Sequence, residues 1–332
     1  MKFLVTGGAG FIGSNITDTL LKQGHSVRVL DNFSSGKESN LEVARTFGDK
    51  FELMKGDICD KETCLKATEG MDALTHQAAL RSVPKSMTIP HEYNKVNIDG
   101  ILNLLEAARG NKVKRFVFAS SSSVYGDVTT FPESEDFYPM LISPYALSKL
   151  TGEYYCRIFS EHFGVETVCL RYFNVFGPRQ ALDDEYAVVI PKFIHCILHD
   201  QQPPIFGTGK QSRDFTYIDN VVQANILGLT ADLKKASLRG AAGDEAISGP
   251  VFHGFFNVAT GKDQTVLYLV EAINKILGKN IQPQLLPIRA GDVFRTNASI
   301  EKIRKVLNFN PQVDFETGLQ KTVTYFRAIY KK

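Results

Sequence analysis

The chain has no surplus of charge of either sign. Its 38 Lys and Arg nearly balance 36 Asp and Glu, for a formal net charge of +2 over 332 residues. That balance leaves no basic stripe for a phosphate backbone, so no nucleic-acid partner is expected. Cysteine is scarce, and the five (Cys59, Cys64, Cys156, Cys169 and Cys196) are scattered and odd in number. Such spacing fits reduced thiols in the cytoplasm better than a disulfide framework. No apolar run approaches the roughly 18 residues of a membrane span, so no membrane partner is expected. Lys2–Thr6 already reads as a strand, so no signal peptide is expected. No segment repeats. The length exceeds one ordinary core and implies two lobes.

What is present is an alternation. Short apolar stretches at Lys2–Thr6, Ser26–Leu30, Phe51–Lys55, Ala73–His76, Arg115–Ala119 and Glu166–Arg171 read as buried strands. Helical patterns lie between them, from about Ser14 to Gly24 and over Cys59–Glu69, Asn97–Arg109 and Tyr145–Phe163. This rhythm implies an α/β fold with a doubly wound parallel sheet of Rossmann type and right-handed crossovers. It breaks after Phe176. Residues 1–176 are read as the first domain, with parts of 214–260 returning to it, and 177–332 as a smaller, mixed α/β lobe. Arg239–Pro250 is rich in Gly, Ala and Ser and reads as a surface loop.

The first turn, VTGGAGFIGS, sets Gly7, Gly10 and Gly13 between a strand and an amphipathic helix. Glycines there let the backbone turn tightly and approach a pyrophosphate at the helix N-terminus. Asp31 ends the second strand, where a carboxylate accepts both ribose hydroxyls of NAD and repels the 2′-phosphate of NADP. The plainer reading is a turn cap. Asp57 ends the third strand and reaches towards the adenine edge, or else caps a helix.

In SPYALSK, Tyr145 and Lys149 are four apart and share a helical face, with Ser143 as N-cap and Pro144 as first helical residue. A lysine there would favour the phenolate and bring the tyrosine towards neutrality. With the glycine turn and the serine run ASSSSVYGD at 119–127, this constellation resembles the extended short-chain dehydrogenase/reductase family, in its nucleotide-sugar 4-epimerase branch. The resemblance implies NAD as cofactor. It places Ser121, four residues before Tyr125, beside Tyr145 and Lys149 as the catalytic triad. Around the cofactor it implies Phe11 and Ile12 in the turn, Asn32, Ser35 and Gly36 after Asp31, Ile58 beside Asp57, and Gln77, Ala78 and Ala79 after the fourth strand. A two-fold homodimer is also implied.

Relatives that dehydrate or decarboxylate a nucleotide sugar carry acids directly after the triad residue. Here those positions are Ser122 and Ser123, which supply no proton near neutral pH. A site that oxidises an alcohol and reduces it again remains, which is 4-epimerase chemistry.

RYFNVFGPRQ, YAVVIPKF, IFGTGKQSRDFTYI and RAGDVFRTNAS resemble the UDP-sugar segments of that branch. By that resemblance the C-terminal lobe binds the UDP-sugar. Ser82, Ser122, Ser123 and Asn174 contact the sugar or diphosphate, and Val189 lies in the wrapping segment. Phe206 packs on uracil, Arg213 and Arg289 pair with the diphosphate, and Asp292 holds the uridine ribose. Without it, Arg213 would read as a surface partner of Asp214. Thr296 occupies the position beside the C2 substituent. Its small size admits an N-acetyl group, which points to UDP-GlcNAc and UDP-GalNAc, with UDP-Glc and UDP-Gal as further substrates. Arg81 departs from the pattern and raises the alternative of a UDP-uronic acid. A cofactor-exchanging alcohol dehydrogenase and a non-catalytic NAD-binding regulator are the remaining alternatives. His195 and His199 are one helical turn apart without an evident third ligand, and no metal is expected.

Overall fold

The computed structural model describes residues 1–181, 189–233, 251–288 and 293–330. The loop expected over 239–250 lies outside them. Seven strands form one sheet: β1 (Lys2–Thr6), β2 (Ser26–Asp31), β3 (Phe51–Lys55), β4 (Ala73–His76), β5 (Arg115–Ser121), β6 (Glu166–Tyr172) and β7 (His253–Val258). Their order is β7-β6-β5-β4-β1-β2-β3, and every pairing is parallel. Chain direction across the sheet reverses between β1 and β4. That is where a crevice opens beyond the strand ends.

The sheet is covered on both faces, which explains its unbroken apolar strands. Phe3 and Val5 of β1, with Val117 of β5, pack into one core together with residues of the C-terminal half. Leu4, Phe116 and Phe118 point the other way, into a second core with Ile101 and Leu105. β7 comes from far along the chain and lies beside β6. The rest of the C-terminal half is built from the helices Val189–Leu198, Val266–Leu277 and Phe315–Tyr330 and from two-stranded pairs such as Pro204–Phe206 with Gln284–Leu286.

Two boundaries differ from expectation in ways that matter for the site. The first helix starts at Phe11, not Ser14, because Gly10 serves as its N-cap without a side-chain bond. The helix expected from Asn97 is preceded by a π-helical turn over Asn94–Asp99 and becomes α-helical only at Gly100. That turn aims Asn97 at the loop after β4: its side chain accepts from Leu80 N (2.8 Å) and donates to Leu80 O and Ser148 Oγ (both 3.0 Å).

The helix Pro144–Phe163 begins as expected, with Ser143 Oγ accepting from Ala146 N at 3.1 Å and Pro144 in the first turn. Positions 145, 149 and 153 lie on one face. Lys149 Nζ donates to Ala119 O at 2.8 Å, and Ser120 Oγ donates to Glu153. Glu153 is also held by Arg171 through two bonds of 2.9 and 2.7 Å, with both side chains nearly inaccessible. Arg171 in turn lies over the rings of Tyr125 and Phe255. Removing one partner strands a buried charge, at a cost of about 3–5 kcal/mol. Glu153→Ala should therefore lower the urea midpoint by that amount of stability. A loss comparable to that of a surface substitution would contradict this picture.

Candidate active site

The crevice at the switch point is a cavity of about 310 Å³. Gly7, Gly10, Phe11, Ile12 and Gly13 line its floor, Asp31, Asn32, Ser35, Asp57 and Ile58 one end, and Gln77, Ala78, Ala79, Tyr145 and Lys149 the other. The turn leaves no room for side chains. A Cβ on Gly13 would come within 2.2 Å of Gly7 O, and one on Gly7 within 2.7 Å of Ala78 N. Gly36 is pressed against Asp31, 2.9 Å from its Oδ1 by the same test. With no side-chain cap on Gly10, the first amides of the helix remain for an anion. Asp31 is fixed by Ala9 N (2.9 Å) and Phe33 N (2.8 Å), which orients its carboxylate at the cleft. These features fit NAD.

Asp57 is not the helix cap. Asp60 takes that place, accepting from Glu62 N at 3.1 Å and Thr63 Oγ1 at 2.7 Å. Asp57 instead accepts from Asn32 Nδ2 and Cys59 N. Those hydrogen bonds bring its carboxyl below the ordinary range although burial opposes them.

A second cavity, of about 500 Å³, adjoins the first, and Tyr145 and Tyr172 belong to both walls. Ser121, Ser122, Ser123, Asn174, Val189, Phe206, Arg213 and Thr296 all line it. Thr296 Oγ1 donates to Asn174 Oδ1 at 3.1 Å, which ties two elements of the wall. Arg213 Nη1 donates to Ser212 O and Phe294 O. Asp214, the surface partner Arg213 would have without the resemblance, is buried and accepts from Thr260 N (2.9 Å), Thr260 Oγ1 (2.8 Å) and Gly261 N (2.9 Å). Arg289 and Asp292 lie outside the described residues, as do positions 186–188 of the wrapping segment. Ser82 does not line the chamber. Its Oγ accepts from Lys85 N at 3.2 Å and caps the short helix Val83–Thr88, so Val83 and Pro84 form that part of the wall.

The electrostatics of Tyr145 differ from the expectation in one respect. Burial pushes its phenol up, not down, while a hydrogen bond with Ser121 and the charge of Arg81 oppose that rise. Lys149 is 5.9 Å from the centre of the Tyr145 ring and is spent on Ala119 O. Burial lowers the lysine itself to about 8. Arg81 lines the nucleotide cleft and not the chamber.

Three contributors escaped the sequence reading. Asn97 holds the Leu80 backbone against the catalytic helix. Arg179 lines the cofactor cleft and pairs with Asp18 at 2.7 Å. Glu133 brings to the chamber a carboxyl that the sequence reading did not place there. It comes from the loop after the serine run, and its Oε1 accepts from Asn297 N at 3.1 Å. Nothing local marked it, because the contact spans 164 positions.

The chain matches the NAD dependent epimerase/dehydratase family over residues 3–237. It is 37% identical over 329 residues to a UDP-glucose 4-epimerase of Mycolicibacterium smegmatis, covering 98% of this chain and 99% of that protein. The solved UDP-N-acetylglucosamine 4-epimerase from Methanobrevibacter ruminantium M1 superposes with a TM-score of 0.89 at 39% identity, covering 99% and 98% of the two chains. A UDP-glucuronic acid 4-epimerase from Bacillus cereus, solved with UDP-glucuronic acid and NAD, gives 0.85 at 30% identity over 99% and 100%.

Burial pushes the Glu133 carboxyl up from 4.5 to about 7. The folded chain holds that proton more tightly than the unfolded one, so stability falls as pH rises from 4.5 to 7. The cost above pH 7 is on the order of 3 kcal/mol. Glu133→Gln is accordingly expected to be more stable than the parent in urea at pH 8, with the difference fading towards pH 5. A difference that does not vary with pH would refute the assignment.

Proposed function

Since the chain belongs to the NAD dependent epimerase/dehydratase family, we propose that it interconverts UDP-N-acetylglucosamine and UDP-N-acetylgalactosamine, and also UDP-glucose and UDP-galactose. The observation that carries this reading is the end of β5. Ser121, Ser122 and Ser123 face the chamber beside Tyr145, and none of them donates a proton to a leaving group near neutral pH. Thr296 supports the choice of sugar, since its short side chain leaves space in the wall that a tyrosine would fill.

When bound, NAD supplies a positively charged ring that accepts a hydride from the sugar C4 and returns it. Tyr145 takes the proton from the 4-hydroxyl and gives it back. Its phenol is held up by burial, so it works as a base only with positive charge beside it, which Arg81 contributes in part. Ser121 hydrogen-bonds the oxygen that becomes the ketone. Lys149 fixes the strand end and would hold the nicotinamide ribose. Asn174, Phe206 and Arg213, with Arg289 and Asp292, hold the nucleotide half while the 4-keto sugar turns. Contacts therefore belong on the UDP, where they bind without freezing the sugar. We assign residues 1–176 with parts of 214–260 to the cofactor, and the remainder mainly to the UDP-sugar.

A UDP-uronic acid is the second reading, favoured by Arg81 and by the 30% identity to the UDP-glucuronic acid 4-epimerase. The place of Arg81 in the nucleotide cleft, away from the chamber wall, speaks for the neutral sugars. We further infer a homodimer through the helix Pro144–Phe163, whose Leu147, Tyr154 and Ile158 form an exposed apolar stripe. No helix among the described residues is long and apolar enough to cross a membrane. The free cysteines suit the cytoplasm.

Purified protein given UDP-GlcNAc and no added cofactor should form UDP-GalNAc, as separation of the products will show. Turnover of UDP-Glc alone would defeat the choice of sugar. Tyr145→Phe should slow the reaction at least about a hundredfold, and full activity in that variant would remove the proton-transfer role. Thr296→Tyr should cut turnover of UDP-GlcNAc at least about tenfold relative to UDP-Glc. An unchanged ratio would take Thr296 out of the C2 site.

A further inference from the structure

We propose that Glu133 sets the charge selectivity of the sugar site, admitting neutral hexoses and N-acetylhexosamines and turning away sugars that carry a carboxylate. This rests on the UDP-sugar reading above and narrows it to a substrate class.

Glu133 is built in, not incidental. Its residue is only 2% exposed, yet it lines the chamber. The backbone on both sides is pinned: Glu133 N donates to Asn297 O at 2.7 Å, and its carbonyl accepts from Ser299 N at 2.8 Å and Asn257 Nδ2 at 3.0 Å. The carboxyl is held against the peptide that follows Thr296. It has little freedom to swing away from an incoming charge.

Among the described residues that line the chamber, Glu133 is the one carboxylate, and Lys192 and Arg213 are the cations. The diphosphate brings two negative charges, which those cations and Arg289 can balance. A uronic acid adds a carboxylate to a chamber whose one described acid, Glu133, is anionic above neutrality. Like charges brought together in a partly dry cavity are costly, and rejection of this kind is how a site discriminates between near-isosteres. Burial dominates and raises the Glu133 carboxyl to about 7, against the hydrogen bond from Asn297 N, with Asp214 pushing it up and Arg213 drawing it down. The discrimination is therefore graded across neutral pH, strong when the carboxyl is charged and weak when it is protonated.

UDP-glucose and UDP-glucuronate differ only at C6, as a hydroxymethyl against a carboxylate, so their affinity ratio isolates the effect. Calorimetry on NAD-loaded Tyr145→Phe protein, where turnover is blocked, gives both values. With Glu133 in place, UDP-glucuronate should bind at least about tenfold more weakly than UDP-glucose at pH 8, and the gap should narrow towards pH 6. With Glu133→Gln added, the gap should shrink about tenfold and lose its pH dependence. Equal affinities at pH 8, or a gap that survives Glu133→Gln, would overturn the proposal. The pH series on the chain that keeps Glu133 tests it even if the Gln variant folds poorly. Binding of neither nucleotide sugar would be a different failure, that of the UDP-sugar reading itself.

Discussion

One helix grips one strand end, and the chemistry of this enzyme depends on that grip. Tyr145, Lys149 and Glu153 follow each other at four-residue intervals along Pro144–Phe163. They engage Ser121, the Ala119 carbonyl and Ser120 in the last turns of β5. The Glu153–Arg171 pair locks the lower end of this ladder into the core. The upper end places the Tyr145 phenol on the wall shared by two cavities and beside the Ser121 hydroxyl, which lines the second. A shift of about 1 Å between helix and strand would separate them, and orientation at that scale carries much of an enzyme's advantage.

The same burial that holds the ladder sets its electrostatics. It raises the Tyr145 phenol and lowers Lys149 to about 8, so enclosure alone disfavours the phenolate while the lysine stays largely protonated near neutral pH. A hydrogen bond with Ser121 and the charge of Arg81, on the loop that Asn97 holds in place, draw the phenol down against that burial. Among the described residues that line the chamber on the other side of Tyr145, Glu133 is the one carboxylate, and it comes from a loop, not from β5. The end of β5 itself carries serines and no acid.

Much of this was legible in the sequence because it is local. Gly7, Gly10 and Gly13 announce a turn whose tightness is steric, and Tyr145 with Lys149 announces a helical face. The strands of the cofactor half are apolar runs that a sheet covered on both faces requires. What escaped depends on pairs distant in the chain. Asn97 acts through Leu80 and Ser148, and its π-helical turn leaves no periodic trace. Glu133 meets Asn297 across 164 positions, and no local pattern marks it. Ser82 lies beside Val83 and Pro84 of the chamber wall, and its hydroxyl accepts from the amide of Lys85. Asp57 and Asp60 are both plausible caps by spacing, and only their hydrogen bonds separate them.

The central claim is that the hydride removed from the sugar returns to the same carbon within one closed site. UDP-GlcNAc carrying deuterium at C4 tests it directly. Incubated with the enzyme and an excess of unlabelled NADH, the UDP-GalNAc formed should keep its deuterium completely by mass spectrometry. Product that has lost the label, or that is lighter by water or carbon dioxide, would contradict the account.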